Sequence, residues 1–147
     1  MTTDNVRAKS AQSQAHRLAL RVYYEDTDFT GRVYHASYLR FLERGRTEWL
    51  RARGLEQQEM AKNAAVVFVV HRLTIDFFKP AAMDDMLTIE TRVTTLGAAS
   101  FDFSQTILRG ETRMAAALVS VVALKGDRPA RLPPELRARL IDAAAEA

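Results

Sequence analysis

Between residues 38 and 54 the chain carries a single long helical period, and nearly everything on either side of it reads as strand. Tyr38, Phe41, Leu42, Gly45 and Trp49 recur at helical spacing and share one face. Arg40, Glu43, Arg44, Arg51 and Arg53 occupy most of the remaining surface, and Gly54 suits the C′ position that ends such a helix. A glycine inside a helix costs about 1 kcal/mol relative to alanine. The place of Gly45 on the apolar face therefore predicts the close approach of a sheet or a second helix.

Ahead of the helix, residues 17–24 alternate. Leu18, Leu20, Val22 and Tyr24 fall on one face, with Arg17, Ala19, Arg21 and Tyr23 on the other, as in a half-buried strand. The turn-forming run Glu25-Asp26-Thr27-Asp28-Phe29-Thr30-Gly31 breaks it. Residues 55–64 predict a short second helix. Four strand-like runs follow, at 66–79, 86–96, 101–109 and 114–125. The first puts Val67, Val69, Leu73, Ile75 and Phe77 on one face and ends at Pro80. The last is apolar on both faces, which predicts a central strand. Turns fall at Asp84-Asp85, Gly97, Gly110 and Gly126-Asp127-Arg128-Pro129, and Pro133-Pro134 opens a C-terminal helix through about residue 145. Residues 1–14 are polar and aperiodic and are expected to form a disordered tail, leaving 15–147 as one domain. Strand, long helix, four strands and short helix imply an α+β fold. Its economical packing is a five-stranded antiparallel sheet against one long helix. The pairing order of the strands does not follow from pattern alone.

Several chemistries are excluded. The chain has no cysteine, so disulfides, thiolate zinc sites, Fe–S clusters and cysteine nucleophiles are out. His16, His35 and His71 are the only histidines and none pairs with another at metal-ligand spacing. There is no Gly-x-Ser-x-Gly elbow and no glycine-rich phosphate loop. Neither a metal nor a cofactor is expected. The net charge of +3 is spread along the chain, which suits an anionic small molecule and lacks the concentrated basic stripe of a nucleic-acid binder. No apolar run approaches the ~20 residues of a membrane span, and the polar N-terminal stretch lacks the apolar core of a signal peptide. No stable membrane insertion and a cytoplasmic location are the expectations.

The chemistry-bearing segment runs from Tyr24 to Tyr38 and joins the first strand to the long helix. It holds Glu25, Asp26, Asp28, Tyr34 and His35 beside a helix N-terminus, whose unpaired N–H groups and dipole favour negative charge. A carboxylate there can attack a carbonyl, or direct water at it, while the N–H groups stabilise the oxygen. Asp and Thr before a helix also serve as turn and cap residues. Asp26, Asp28 and His35 are too sparse a set to argue for a metal. His71, on an apolar strand face, reads as a core or interface histidine.

The motif Tyr-x-Asp-Thr-Asp-x-x-Gly-x-Val-Tyr-His-x-x-Tyr is filled by Tyr24, Asp26, Thr27, Asp28, Gly31, Val33, Tyr34, His35 and Tyr38. It resembles the signature of the hotdog-fold acyl-CoA thioesterases of the 4-hydroxybenzoyl-CoA thioesterase class, above all the YbgC, Tol-Pal-associated branch. The similarity continues through Phe41-Leu42-Glu43-Arg44-Gly45-Arg46-Thr47-Glu48. It returns in Phe68-Val69-Val70, in Phe77-Phe78-Lys79-Pro80-Ala81 and in Asp84-Asp85, and so covers about residues 18–135. Phe29-Thr30 departs from the smaller pair common there, a change expected to reshape the pocket near the acyl carbonyl.

The resemblance implies a hotdog, a curved antiparallel sheet wrapped around a long central helix that begins near His35. It implies hydrolysis of an acyl-CoA thioester, with the substrate at the subunit interface of a homodimer or homotetramer. Position by position, Asp28 becomes the catalytic carboxylate and the backbone N–H at His35 polarises the carbonyl. Tyr34 and the His35 side chain would line the site. The coenzyme A phosphates need cations at the pocket mouth, for which Arg128 and Arg131 are candidates. Two other readings compete: a hotdog hydratase acting on acyl thioesters, whose His and acidic residue sit differently, and a non-catalytic acyl-thioester binding or scaffold protein, which has no need of Asp28.

Overall fold

The structure, a computed structural model, describes residues 15–63 and 65–146. The tail expected over 1–14 lies outside the described residues. Strand β1 (His16–Arg21) is followed by a 3-10 turn (Tyr24–Asp26), helix α1 (Ser37–Ala52) and helix α2 (Gln57–Asn63). Then come β2 (Val67–Phe77), β3 (Met86–Leu96), β4 (Ser100–Arg109), β5 (Thr112–Lys125), β6 (Arg128–Pro129) and helix α3 (Pro134–Glu146). The sheet order is β1-β3-β4-β5-β2, with the two-residue β6 paired to β5 and every pairing antiparallel. This is the hotdog arrangement, with the expected five strands and one short addition. Gly126, at φ +63, reverses the chain so that Lys125 pairs with Arg128 in what reads from sequence as turn alone.

Helix α1 lies on the inner face of the sheet. Tyr38, Phe41, Leu42, Gly45, Trp49 and Leu50 are buried there, with the Trp49 ring edge-on to Phe103 at 5.5 Å. Gly45 does permit a close approach: a Cβ at that position would stand 2.7 Å from Ile89 Cγ2 and 2.9 Å from Thr91 Oγ1. The helix ends in a Schellman motif. Gly54, at φ +74, donates its N–H to Arg51 O at 3.0 Å, and Leu55 donates to Leu50 O at 2.9 Å. Strand β5 is flanked on both sides, by β4 and β2, as its apolar faces predict.

The structure corrects three sequence expectations. β1 stops at Arg21: Val22 still bonds the turn before β3, its N–H to Asp85 O and its O from Asp84 N–H, but the next N–H, that of Tyr23, goes to Asp26 Oδ2 at 2.8 Å and turns the chain out of the sheet. Tyr24 is therefore exposed in the 3-10 turn instead of facing the core. In β2, a bulge between Val70 and Arg72 adds one residue and flips the parity. Phe68, Leu73 and Ile75 are partly buried, whereas Val67 and Val69 are exposed. His71 sits at that bulge and is exposed, so it is no core histidine.

β2 is an edge strand and its outer side pairs with no strand among the described residues. Val67, Val69, Val70, Phe77 and Phe78 are all exposed along it. A long apolar edge with open backbone groups is a template for pairing with another chain.

Candidate active site

The segment between the 3-10 turn and α1 is built by short-range hydrogen bonds. Asp26 is buried, and its Oδ2 accepts the Tyr23 N–H at 2.8 Å while its backbone O accepts the Tyr34 N–H at 2.8 Å. Its carboxylate is a cap, turned away from the loop tip. Asp28 opens the next turn: its O accepts the Gly31 N–H at 3.0 Å and its N–H donates to Arg32 O at 2.9 Å. Gly31, at φ +79, closes this turn in a conformation that L side chains rarely adopt.

The Asp28 side chain is exposed. Its Oδ1 accepts both the Thr30 hydroxyl, at 2.6 Å, and the Thr30 N–H, at 2.8 Å. These two bonds, the hydroxyl's first, hold its carboxyl below the usual carboxylate range, with smaller help from the charges of Arg32 and His35. Asp28 is thus an anion throughout the neutral range. Phe29 beside it is fully exposed.

α1 starts at Ser37 with no side-chain cap. The His35 backbone N–H, one residue before the N-cap, has no acceptor among the described residues. The Tyr34 and His35 rings pack at 4.6 Å, and both side chains are exposed. Next to them a cavity of about 240 Å³ opens between Val33, His35, Tyr38, Phe77, Lys79 and Pro80. Its β2-end wall is a part of the site that the residues alone do not assign. The only sequence signal for it is the Phe-Phe-Lys-Pro-Ala run.

Tyr38 ties this wall to the helix. Its hydroxyl accepts the Ala81 N–H at 3.0 Å, and Ala81 O accepts the Val33 N–H at 2.8 Å. Burial pushes the Tyr38 hydroxyl pKa up, so it stays neutral. Tyr38→Phe leaves the fully buried Ala81 N–H unpaired. We expect it to cost about 1–3 kcal/mol of stability, read as a lower denaturant midpoint; an unchanged midpoint would mean that this bond holds nothing together.

The structure brings Asp28, Tyr34 and His35 into one loop. It does not bring Arg128 and Arg131 to them within one subunit. Leu132, next to Arg131, donates its N–H to Ala98 O in the turn after β3, and Arg128 pairs with Lys125 at the end of β5. Asp28 lies at the other end, near the start of β3. Eleven strand residues separate the two ends, roughly 30 Å. Among the described residues no group of three or more His, Cys, Asp or Glu side chains could hold a metal ion, and no helix is long and apolar enough to cross a membrane.

The chain belongs to the thioesterase-like superfamily, whose description matches residues 22–140, and it is a thioester hydrolase of the hotdog class. It is 42% identical over 121 residues to the acyl-CoA thioesterase YbgC of Haemophilus influenzae, covering 81% of this chain and 89% of that one. A probable thioesterase from Bartonella henselae has a solved structure with TM-score 0.78 at 42% identity, over 81% of this chain and 99% of that one. A thioesterase from Thermus thermophilus, solved with coenzyme A and Zn, has TM-score 0.77 at 26% identity, over 90% of this chain and 95% of that one.

Proposed function

We propose that this thioester hydrolase cleaves acyl-CoA to the free acid and coenzyme A, with Asp28 as its catalytic carboxylate. What carries this is an exposed, ionised Asp28 within electrostatic reach of His35, together with the unpartnered His35 N–H and the apolar cavity that the His35 side chain lines. The name of the Haemophilus relative and the coenzyme A in the Thermus structure support the substrate class.

The parts suit the chemistry. A thioester carbonyl is more reactive than an ester, so no Ser-His-Asp triad is needed. The His35 N–H, with the α1 dipole behind it, stabilises the developing oxyanion. Asp28 either attacks the carbonyl carbon, expelling thiolate and leaving a mixed anhydride that water opens, or takes the proton from an attacking water. The Tyr34 and His35 rings line the approach. Release of free thiol from a small panel of acyl-CoAs tests the reading. A hydratase would change enoyl absorbance without thiol, and a binding protein would do neither.

The site is completed, in this reading, by a second subunit. Two β2 edges related by a two-fold axis pair antiparallel, which sets the Val67 end of one against the Phe77 end of the other. Val67 pairs with Leu124 and Lys125 with Arg128, so the partner's basic end arrives beside the Asp28 loop. Arg128 and Arg131 then meet the coenzyme A phosphates across the interface. Light scattering at micromolar concentration is expected to show a dimer or tetramer. A stable, active 16.5 kDa monomer would refute this assembly.

A further inference from the structure

The turn at 28–31 contains one bond that its backbone does not require. An Asp side chain accepting the N–H two residues on is the common Asx turn, and the Thr30 N–H supplies it at 2.8 Å. The Thr30 hydroxyl is a second donor to the same oxygen, Oδ1, at 2.6 Å. The hydroxyl itself accepts the Arg32 N–H at 3.4 Å, so its own hydrogen is directed at Asp28. Asp28 Oδ2 accepts no hydrogen bond among the described residues. The two carboxylate oxygens are thus unequal: one is tied twice, the other is free.

We propose that Thr30 is a positioning residue for the hydrolysis: it locks the Asp28 carboxylate through Oδ1 and leaves Oδ2 as the oxygen that reacts. The proposal rests on the reading of Asp28 as the catalytic carboxylate. An exposed Asp side chain otherwise samples several rotamers, and fixing it in advance places the reacting oxygen near its attack geometry before substrate arrives. Threonine suits the task because its branched Cβ has a restricted χ1. In the nucleophilic route Oδ2 bonds to the carbonyl carbon, the C–S bond breaks, and the thiolate takes a proton from solvent. Water then returns Asp28 and releases the acid. In the general-base route Oδ2 takes a proton from the water whose oxygen bonds to the carbonyl carbon, the C–S bond breaks, and the departing thiolate takes that proton back from Asp28, leaving the free acid. The same two donors also keep the carboxyl ionised, which gives the role a second signature.

The test compares Thr30→Val and Thr30→Ser with the unaltered protein, using kcat, KM and the pH profile of kcat/KM. Thr30→Val keeps the branched shape and the backbone N–H but removes the hydroxyl. We expect kcat to fall roughly tenfold, within the scale that misplacing a reacting group produces, with KM nearly unchanged. Because the hydroxyl lowers the Asp28 pKa, its loss must move the acid limb of the profile to higher pH. Thr30→Ser should restore both. Asp28→Asn is the control for the underlying reading, and adding Thr30→Val to it should cost nothing further. Unaltered kcat and acid limb in Thr30→Val, with Asp28→Asn inactive, would overturn the positioning role and leave the reading of Asp28 intact. An active Asp28→Asn would overturn both.

Discussion

Asp28→Asn should lower turnover by about 10²–10⁴, the usual contribution of one positioned acid–base group, and by more if Asp28 is the nucleophile. The geometry makes this a clean substitution. An Asn Oδ1 can still accept the Thr30 hydroxyl and N–H, so the turn keeps its shape. Only the free oxygen changes, from a carboxylate Oδ2 to an amide nitrogen that can neither attack nor take a proton. Acyl-CoA binding should change little, or improve slightly, because a negative charge near an anionic ligand is lost.

Asp26→Asn is the matched contrast. Asp26 lies two residues away, yet its Oδ2 caps the Tyr23 N–H and its side chain is buried. An Asn oxygen can preserve that bond, so the expected cost is about 1 kcal/mol of stability, with catalysis largely kept. Single-turnover hydrolysis and ligand binding on both variants decide the matter. Near-native turnover in Asp28→Asn, or a larger kinetic loss in folded Asp26→Asn, would mean that the wrong carboxylate has been assigned.

The two aspartates also mark where sequence stops being informative. The segment from Tyr24 to Tyr38 stands out in the sequence as the proposed site because its titratable and aromatic residues are dense and local. Which carboxylate points outward depends on the 3-10 turn, and that turn forms because Tyr23 N–H prefers Asp26 to a longer β1. α1 is legible for the opposite reason: a helix of this length repeats its signal over several turns, and Gly54 ends it. β2 is not, because the bulge at His71 inserts one residue and reverses the face of everything beyond it. A period-two pattern carries no mark of such an insertion. The far placement of Arg128 and Arg131 is a property of strand pairing, which alternation does not encode. The pair of hydrogen bonds that Thr30 donates to one oxygen of Asp28 depends on side-chain rotamers in an exposed turn, below the resolution of any motif.

Gly45→Val should be the most damaging single change away from the Asp28–His35 loop. The added Cβ alone would meet Ile89 Cγ2 at 2.7 Å, Thr91 Oγ1 at 2.9 Å and Gln105 Nε2 at 3.0 Å, and two further methyls need space beyond it. All three neighbours are buried. Gln105 cannot swing aside cheaply. Its Nε2 donates to Leu42 O at 2.9 Å and to Thr91 Oγ1 at 3.0 Å, and its Oε1 accepts an Arg46 N–H at 3.0 Å. Displacing it leaves buried polar groups unpaired, at about 1–3 kcal/mol for each one lost. Overpacking adds about 1–3 kcal/mol, and any gain in helix propensity over glycine is below about 1 kcal/mol. The sum points to a loss of at least about 3 kcal/mol, measured as a shift of the denaturant midpoint at constant m-value. The Asp28–His35 loop hangs on the N-terminus of this same helix through Tyr38 and Ala81, so activity should fail at the temperature where α1 lifts from the sheet. A Gly45→Val variant with unaltered stability would show that α1 and the β3–β4 surface are not in the contact that positions the site.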